Sequence, residues 1–145
     1  MSTEENKALV NAFWKVVYED RDYERVADFF NAKARYEDVP VPEGPGIGPQ
    51  GIVKRLRHGH ESVEAFDHEI HRMIAEADTV MTEHTETWRF HTGEVIPLPF
   101  LSVHVIRNGK FDLWRDYSNL ATVISGAPAW WLEHAATGKP EDFIS

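Results

Sequence analysis

The feature that most constrains this chain is a change of period. Through most of the first 64 residues apolar side chains recur at helical spacing, and from Ala65 onward they recur at every second position. Four runs, at about 66–75, 79–90, 96–107 and 110–117, carry the alternating pattern of half-buried strands. Asn108-Gly109, between the last two, is the strongest short hairpin signal in the chain, and His91-Thr92-Gly93-Glu94 is a weaker turn. Strands joined by such short connections pair antiparallel, so the second half of the chain reads as a meander.

The first half is built differently. Ser2 and Glu5 have the spacing of a capping box, followed by Leu9, Val10, Phe13, Trp14 and Val17 on one helical face. Asp22 is placed to cap a second helix carrying Tyr23, Val26, Ala27 and Phe30, and the two form a helical hairpin. Arg35-Tyr36-Glu37-Asp38-Val39 reads as a short strand. It runs into Pro40-Val41-Pro42-Glu43-Gly44-Pro45-Gly46-Ile47-Gly48, whose proline and glycine density opposes regular structure. Pro49 suits the first turn of a third helix with Ile52, Val53 and Leu56, ending in a surface His58-Gly59-His60. After Leu120 the pattern weakens to a short helix at Ala129-Trp130-Trp131-Leu132 and a frayed tail at Gly138-Lys139-Pro140. Helices, one strand, a helix and a meander define an α+β class, with helices on one face of a curved sheet. With no repeat or linker, the expectation is a single domain over 1–145, its core at about 6–123 and an extension at 124–145.

Composition narrows the function. The chain has 145 residues, 24 acidic against 15 basic, and a formal charge of −9. Nucleic acid needs clustered Lys and Arg, and Lys54, Arg55 and Arg57 are too few to make such a face. There is no cysteine, so thiol chemistry and Cys-ligated zinc are excluded. No apolar run approaches the roughly 20 residues of a membrane helix. The acidic start Met1-Ser2-Thr3-Glu4-Glu5-Asn6-Lys7 is the opposite of a signal peptide, so a cytoplasmic protein is expected. Phosphate loops, serine elbows and Cys–His pairs are absent from the sequence.

The informative residues are polar ones on an apolar face. In the run 79–90, Val80, Thr82, His84, Glu86, Trp88 and Phe90 share one side, which points toward the helices. A carboxyl group inside an apolar cavity is costly to ionise, and burial raises its pKa, which is how a general acid is prepared. If Asp116 on the last strand points inward, it meets His84 and Glu86 on a neighbouring strand and completes an acid–base set needing no cofactor. Tyr36 and Asp38 share one face of the first strand. His84 alone reads equally as a satisfied core histidine, and Glu86 or Asp116 alone as a surface charge. A metal bound by His84, Glu86 and Asp116 is the weaker reading, because no second strong ligand pair accompanies them.

Three segments carry a family resemblance: Arg35-Tyr36-Glu37-Asp38-Val39-Pro40-Val41-Pro42, Thr82-Glu83-His84-Thr85-Glu86 and Gly109-Lys110-Phe111-Asp112-Leu113-Trp114-Arg115-Asp116-Tyr117. With the helix order and the meander, they make residues from about 6 to 123 resemble the limonene-1,2-epoxide hydrolase-like proteins. These sit in the broader nuclear transport factor 2-like and SnoaL-like fold group with the ketosteroid isomerases. The resemblance implies a cone-shaped barrel of curved mixed or antiparallel sheet with helices over it, a deep apolar pocket, a homodimer, and an Asp–Arg–Asp set that adds water to an epoxide. Carried onto this chain, Asp116 falls on the base, Glu86 on the acid and Tyr36 on the water-holding tyrosine. His84 stands where the family has arginine, and Asp38 where it has the water-holding asparagine. Glu37-Asp38 is also similar to the segment bearing the base of the ketosteroid isomerases, whose first-helix tyrosine corresponds here to Trp14. The expectation is therefore an enzyme using Asp116, Glu86, His84, Tyr36 and Asp38. Trp14, Trp88, Phe90 and Phe100 would contact a hydrophobic small molecule, without cofactor or metal. Epoxide hydration is set against isomerase, dehydratase or lyase chemistry and against a non-catalytic binding or dimer module.

Overall fold

The computed structural model describes residues 1–41 and 44–145. Pro42 and Glu43, part of the proline-rich run and, for Pro42, of the first resemblance segment, lie outside the described residues. Helix α1 (Thr3–Trp14) opens with the expected capping box: Ser2 Oγ accepts from the Glu5 amide at 3.1 Å, and Glu5 Oε1 accepts from the Ser2 amide at 3.3 Å. A π-helical segment, Lys15–Asp20, continues it and buries Val16, Val17 and Tyr18 in succession. Arg21 ends the run at φ 49°. Asp22 then caps α2 (Tyr23–Val26), a single turn, by accepting from the Arg25 amide at 3.3 Å. The expected second helix stops short of Phe30, which begins strand β1 (Phe30–Val39). There it pairs in parallel with Phe111 and packs edge-on against that ring at 5.5 Å, so sheet pairing overrides the helical spacing.

The rest of the sheet comprises β2 (Gly46–Ile47), β3 (Ala65–Glu76), β4 (Thr79–Arg89), β5 (Val95–Arg107) and β6 (Lys110–Tyr117), with α3 (Gly48–His60) between β2 and β3. The order is β2-β1-β6-β5-β4-β3, antiparallel except for the parallel pair β1·β6. It is a curled, mixed six-stranded sheet rather than a closed barrel, since β2 and β3 are its two edges. The proline- and glycine-rich run yields more structure than expected: Gly46 and Ile47 pair with Tyr36 and Arg35 of β1. The hairpin at Asn108-Gly109 has φ of 53° and 76°, the left-handed pair that a tight two-residue turn requires.

On β4, Val80, Thr82, His84, Glu86 and Trp88 are buried, as alternation predicts. Phe13 anchors the core between helix and sheet, with Trp14, Phe29, Phe30, His104, Phe111 and Trp114 within 5.7 Å of its ring centroid. Offset and edge-on aromatic pairs of this kind each add about 0.5–1.5 kcal/mol beyond the area they bury. A second cluster, around Trp88, Phe90, Ile96, Leu98 and Phe100, is closed by α4 (Leu120–Gly126) and α5 (Ala129–Ala135) through Val123 and Trp131.

The tail is docked, not frayed. Pro140–Phe143 forms a 3₁₀ turn with Phe143 buried, Ile144 bridges to Ile47, and the Ser145 amide donates to the Ile47 carbonyl at 2.9 Å. Ser145 Oγ also accepts from the Gly51 amide, in the first turn of α3, at 2.7 Å. Gly51 is required by this approach, because a Cβ there would lie 2.3 Å from the Phe143 carbonyl oxygen.

Candidate active site

Between the concave face of the sheet, α3 and the last helices lies a cavity of about 280 Å³. Its ionisable lining comes from β1, α3, β4 and β6: Tyr36, Asp38, Arg55, His58, His60, Glu86 and Asp116. Trp88 and Phe100 supply aromatic wall. Beyond Ser118 the lining among the described residues is apolar, with Leu120, Val123, Trp131 and Phe143 among it. Such an enclosure suits a neutral, mainly apolar molecule with few polar attachment points.

The electrostatics begin with strand register. Asp38 on β1 and Asp116 on β6 are direct partners across the parallel pair, as are Tyr36 and Trp114. Two like charges opposite each other on one face of a sheet repel, and they are handled differently here. Arg55 reaches over from α3: its Nη1 donates to Asp38 Oδ2 at 2.5 Å and its Nε to the Gly44 carbonyl at 2.9 Å. The guanidinium also lies 4.7 Å from the centroid of Tyr36, which stacks on Trp114 at 3.8 Å. The pair is well shielded, with side-chain exposures of 7% for Arg55 and 17% for Asp38.

Asp116 is met by two neutral donors. Its Oδ1 accepts from Ser102 Oγ at 2.5 Å and from Trp114 Nε1 at 2.7 Å. Burial and the Asp38 charge nevertheless push its carboxyl well above the usual range, against the pull of those two donors and of Arg55. Glu86 is raised likewise, by burial first and then by Asp116, and its Oε1 has no hydrogen-bond partner among the described residues. Tyr36 is held phenolic, again by burial, with Asp38 and Asp116 adding to the effect. The cavity thus presents two carboxyl groups that favour the acid form beside one ion-paired carboxylate.

Of the residues expected from the sequence, Asp116, Glu86, Tyr36, Asp38, Trp88 and Phe100 line this cavity. His84 does not. Fully buried, it lies behind the wall against Trp14 and Phe100, with ring centroids at 4.6 and 5.7 Å. It does not adjoin Asp116 on a neighbouring strand either: β5 intervenes, and Ser102 sits between the two. Trp14 and Phe90 belong to the packed core outside the cavity wall. Trp14 donates from Nε1 to Thr82 Oγ1 at 3.4 Å, while Phe90 packs against Trp130 and Trp131. His60, expected at the surface, is buried against Tyr18, Phe66 and Trp88, and burial with nearby Arg21 and Arg55 lowers its pKa to about 3.

Arg55, Ser102 and Trp114 were not among the residues expected at the site. Ser102 shares the parity of Phe100, so alternation marks it, whereas Trp114 lies on a strand with no fully apolar face, which leaves its direction open in the sequence. Arg55 adjoins Leu56 on α3 and reads in sequence as part of a surface basic cluster. Among the described residues, no set of three or more His, Asp or Glu side chains is placed to hold a metal ion. None of the described helices is long and apolar enough to cross a membrane.

Helices packed on the concave face of a curled mixed sheet, with polar groups gathered beneath them, define the nuclear transport factor 2-like cone fold. Within it, the chain belongs to the SnoaL-like domain family, whose model matches residues 10–114. The solved structures similar to it include an epoxide hydrolase of the limonene-epoxide-hydrolase-like type from M. tuberculosis, at 24% identity and TM-score 0.72, covering 93% of this chain and 95% of that one. A protein with a ketosteroid isomerase-like fold from Catenulispora acidiphila, solved with trimethylamine, is 19% identical at TM-score 0.72, covering 85% and 95%. An NTF2-like protein of unknown function from Burkholderia pseudomallei is 19% identical at TM-score 0.78, covering 89% and 100%. No curated protein sequence matches the chain.

Proposed function

We propose that this protein is an acid–base enzyme that adds water to an epoxide on a neutral, largely apolar cyclic molecule, with Asp116 and Glu86 as proton donors and Asp38 as acceptor. The observation that carries the reading is the register pair Asp38–Asp116, in which Arg55 holds one carboxylate while burial keeps its neighbour in the acid form. Asp38 accepts a proton from water, the water oxygen bonds to a ring carbon, and the carbon–oxygen bond breaks. The departing oxygen takes its proton from Asp116 or Glu86, giving a diol. Tyr36, held by Trp114 and Arg55, orients the water or the oxygen.

This reverses the role that the family resemblance assigns to Asp116. A carboxyl that burial pushes well above its usual range is better suited to give a proton than to take one from water. His84, which stands where the family has its bridging arginine, lies behind the cavity wall and not between Asp116 and Glu86.

The same pair supports a second reading. A carboxylate beside an undissociated acid can equally move a proton from carbon next to a carbonyl, as an isomerase, cyclase or lyase does. Turnover of cyclic epoxides in ¹⁸O-water, and of cyclic enolisable ketones in D₂O, separates the two. The expected result is labelled diol, lost by about 10²-fold or more in both Asp38→Asn and Asp116→Asn, the scale of a general acid or base. Deuterium at carbon without diol, abolished by Asp38→Asn, replaces hydration with isomerisation. Neither product, with ligand still bound in the cavity, replaces catalysis with a binding module.

A further inference from the structure

We infer that His68, His84 and Ser102 form a proton relay that recharges Asp116 from solvent across the sheet. Hydration consumes the donor's proton at every turnover, and Asp116 is 2% exposed, so the site needs a supply. One side chain from each of four consecutive strands meets that need. His68 Nε2 on edge strand β3 lies 2.9 Å from His84 Nδ1 on β4; His84 Nε2 lies 2.7 Å from Ser102 Oγ on β5; Ser102 Oγ lies 2.5 Å from Asp116 Oδ1 on β6. Register explains the spacing. Ser102 and Asp116 are direct partners, whereas His68 faces Glu86 and His84 faces Phe100, so the other two steps run diagonally and need the length of an imidazole. The outer end is half-buried His68, stacked on Tyr18 at 4.3 Å, and the inner members are fully enclosed.

The hydrogen-bond directions close the proton count. A hydroxyl has one hydrogen, so when Ser102 donates to ionised Asp116, His84 must donate to Ser102 from Nε2 and His68 to His84 from Nε2. A proton arriving from solvent on His68 Nδ1 then shifts each hydrogen one step inward. Asp116 becomes the acid, Ser102 carries the hydrogen from His84, and both histidines end protonated at Nδ1, with every bond reversed; both rings return to the Nε2–H tautomer before the next proton passes. No charge is left inside. Burial suits the part, holding His84 at a pKa of about 3 and His68 at about 4, so both are neutral carriers near neutral pH. His68 and His84 act through Asp116 and position its proton.

The inference rests on Asp116 being the donor, and its test has a readout independent of turnover. In ¹⁵N-histidine NMR of the wild-type protein, His68 and His84 are expected to share one tautomer, both Nε2–H or both Nδ1–H. Opposite tautomers would place two hydrogens or none between the rings and overturn the relay whatever the enzyme does. With an epoxide that the protein turns over, His68→Phe, which keeps the ring stacked on Tyr18, should slow multiple turnover by about tenfold or more. Added imidazole should restore it while leaving wild type unaffected. A His68→Phe rate equal to wild type, or lowered but indifferent to imidazole, would also sink the relay. Shared tautomers in a protein that turns over no epoxide would retain the relay and reject hydration.

Discussion

Arg55 illustrates how much a single side chain carries here. It ties α3 to β1 through Asp38, to the Gly44 carbonyl, and to the face of Tyr36. Removing it leaves a shielded carboxylate facing Asp116, so Arg55→Gln should lower stability by about 3 kcal/mol in urea unfolding, the scale for breaking a buried pair. Arg55→Lys keeps the charge but not the planar fork that reaches two acceptors, and should recover only part of that loss. Adding Asp38→Asn to Arg55→Gln should restore stability relative to the single change, because the uncompensated charge goes with it. A double variant as unstable as the sum of the two would mean that the pair contributes nothing as a pair.

Among the elements, the sheet was the more legible part of the sequence. Alternation of side chains marks the strands of the meander to within a residue or two at most ends, and with them the inward parity of His84 and Glu86; on the last strand neither face is fully apolar, so alternation leaves the direction of Asp116 open. It cannot tell which inward residues face empty space and which face other rings, so Trp14 and Phe90 were expected at the cavity and lie in the core. Contacts made at a distance are hidden as well. Nothing local to Ser102 announces a neighbour on β6, and nothing local to residues 140–145 announces a seat on α3. That seat gives a prediction at this scale. Gly51→Ala puts a methyl group into the backbone of Phe143, so the segment after Thr137 should lift from α3 at a cost of about 1–3 kcal/mol. Hydrogen exchange should then rise at the Ser145 amide while the sheet stays protected. Unchanged protection there would show that α3 yields instead.

For the whole molecule, the buried histidines set the acid limit. His60, His84 and His104 stay neutral in the fold down to a pKa of about 3, against 6.5 when unfolded. Between those values the unfolded chain binds more protons, so each contributes a loss of about 1.4 kcal/mol per unit as pH falls. Asp116 and Glu86 act in the opposite sense. Their folded carboxyls keep protons that the unfolded chain releases above about pH 4, so they cost stability as pH rises toward their raised values. His104 lies away from the cavity, boxed by Phe13, Trp14, Phe111 and Trp114, with neither ring nitrogen bonded among the described residues. His104→Phe should therefore flatten the dependence of unfolding free energy between about pH 4 and 6 by about 1.4 kcal/mol per unit. An unaltered slope would mean that His104 is not held neutral by burial.

The cavity lining divides at Ser118: every ionisable group in it comes earlier in the chain, and the lining residues from Leu120 to Phe143 supply apolar surface alone. Reactivity and selectivity are thus written on separate stretches of one polypeptide. Variation in the closing helices can reshape what is admitted without touching the carboxyl pair or the strands that tune it. A chain divided in this way can acquire a new substrate by altering its lining while its chemistry stays fixed, and grafting a relative's closing segment onto residues 1–118 is the direct route to doing so by design.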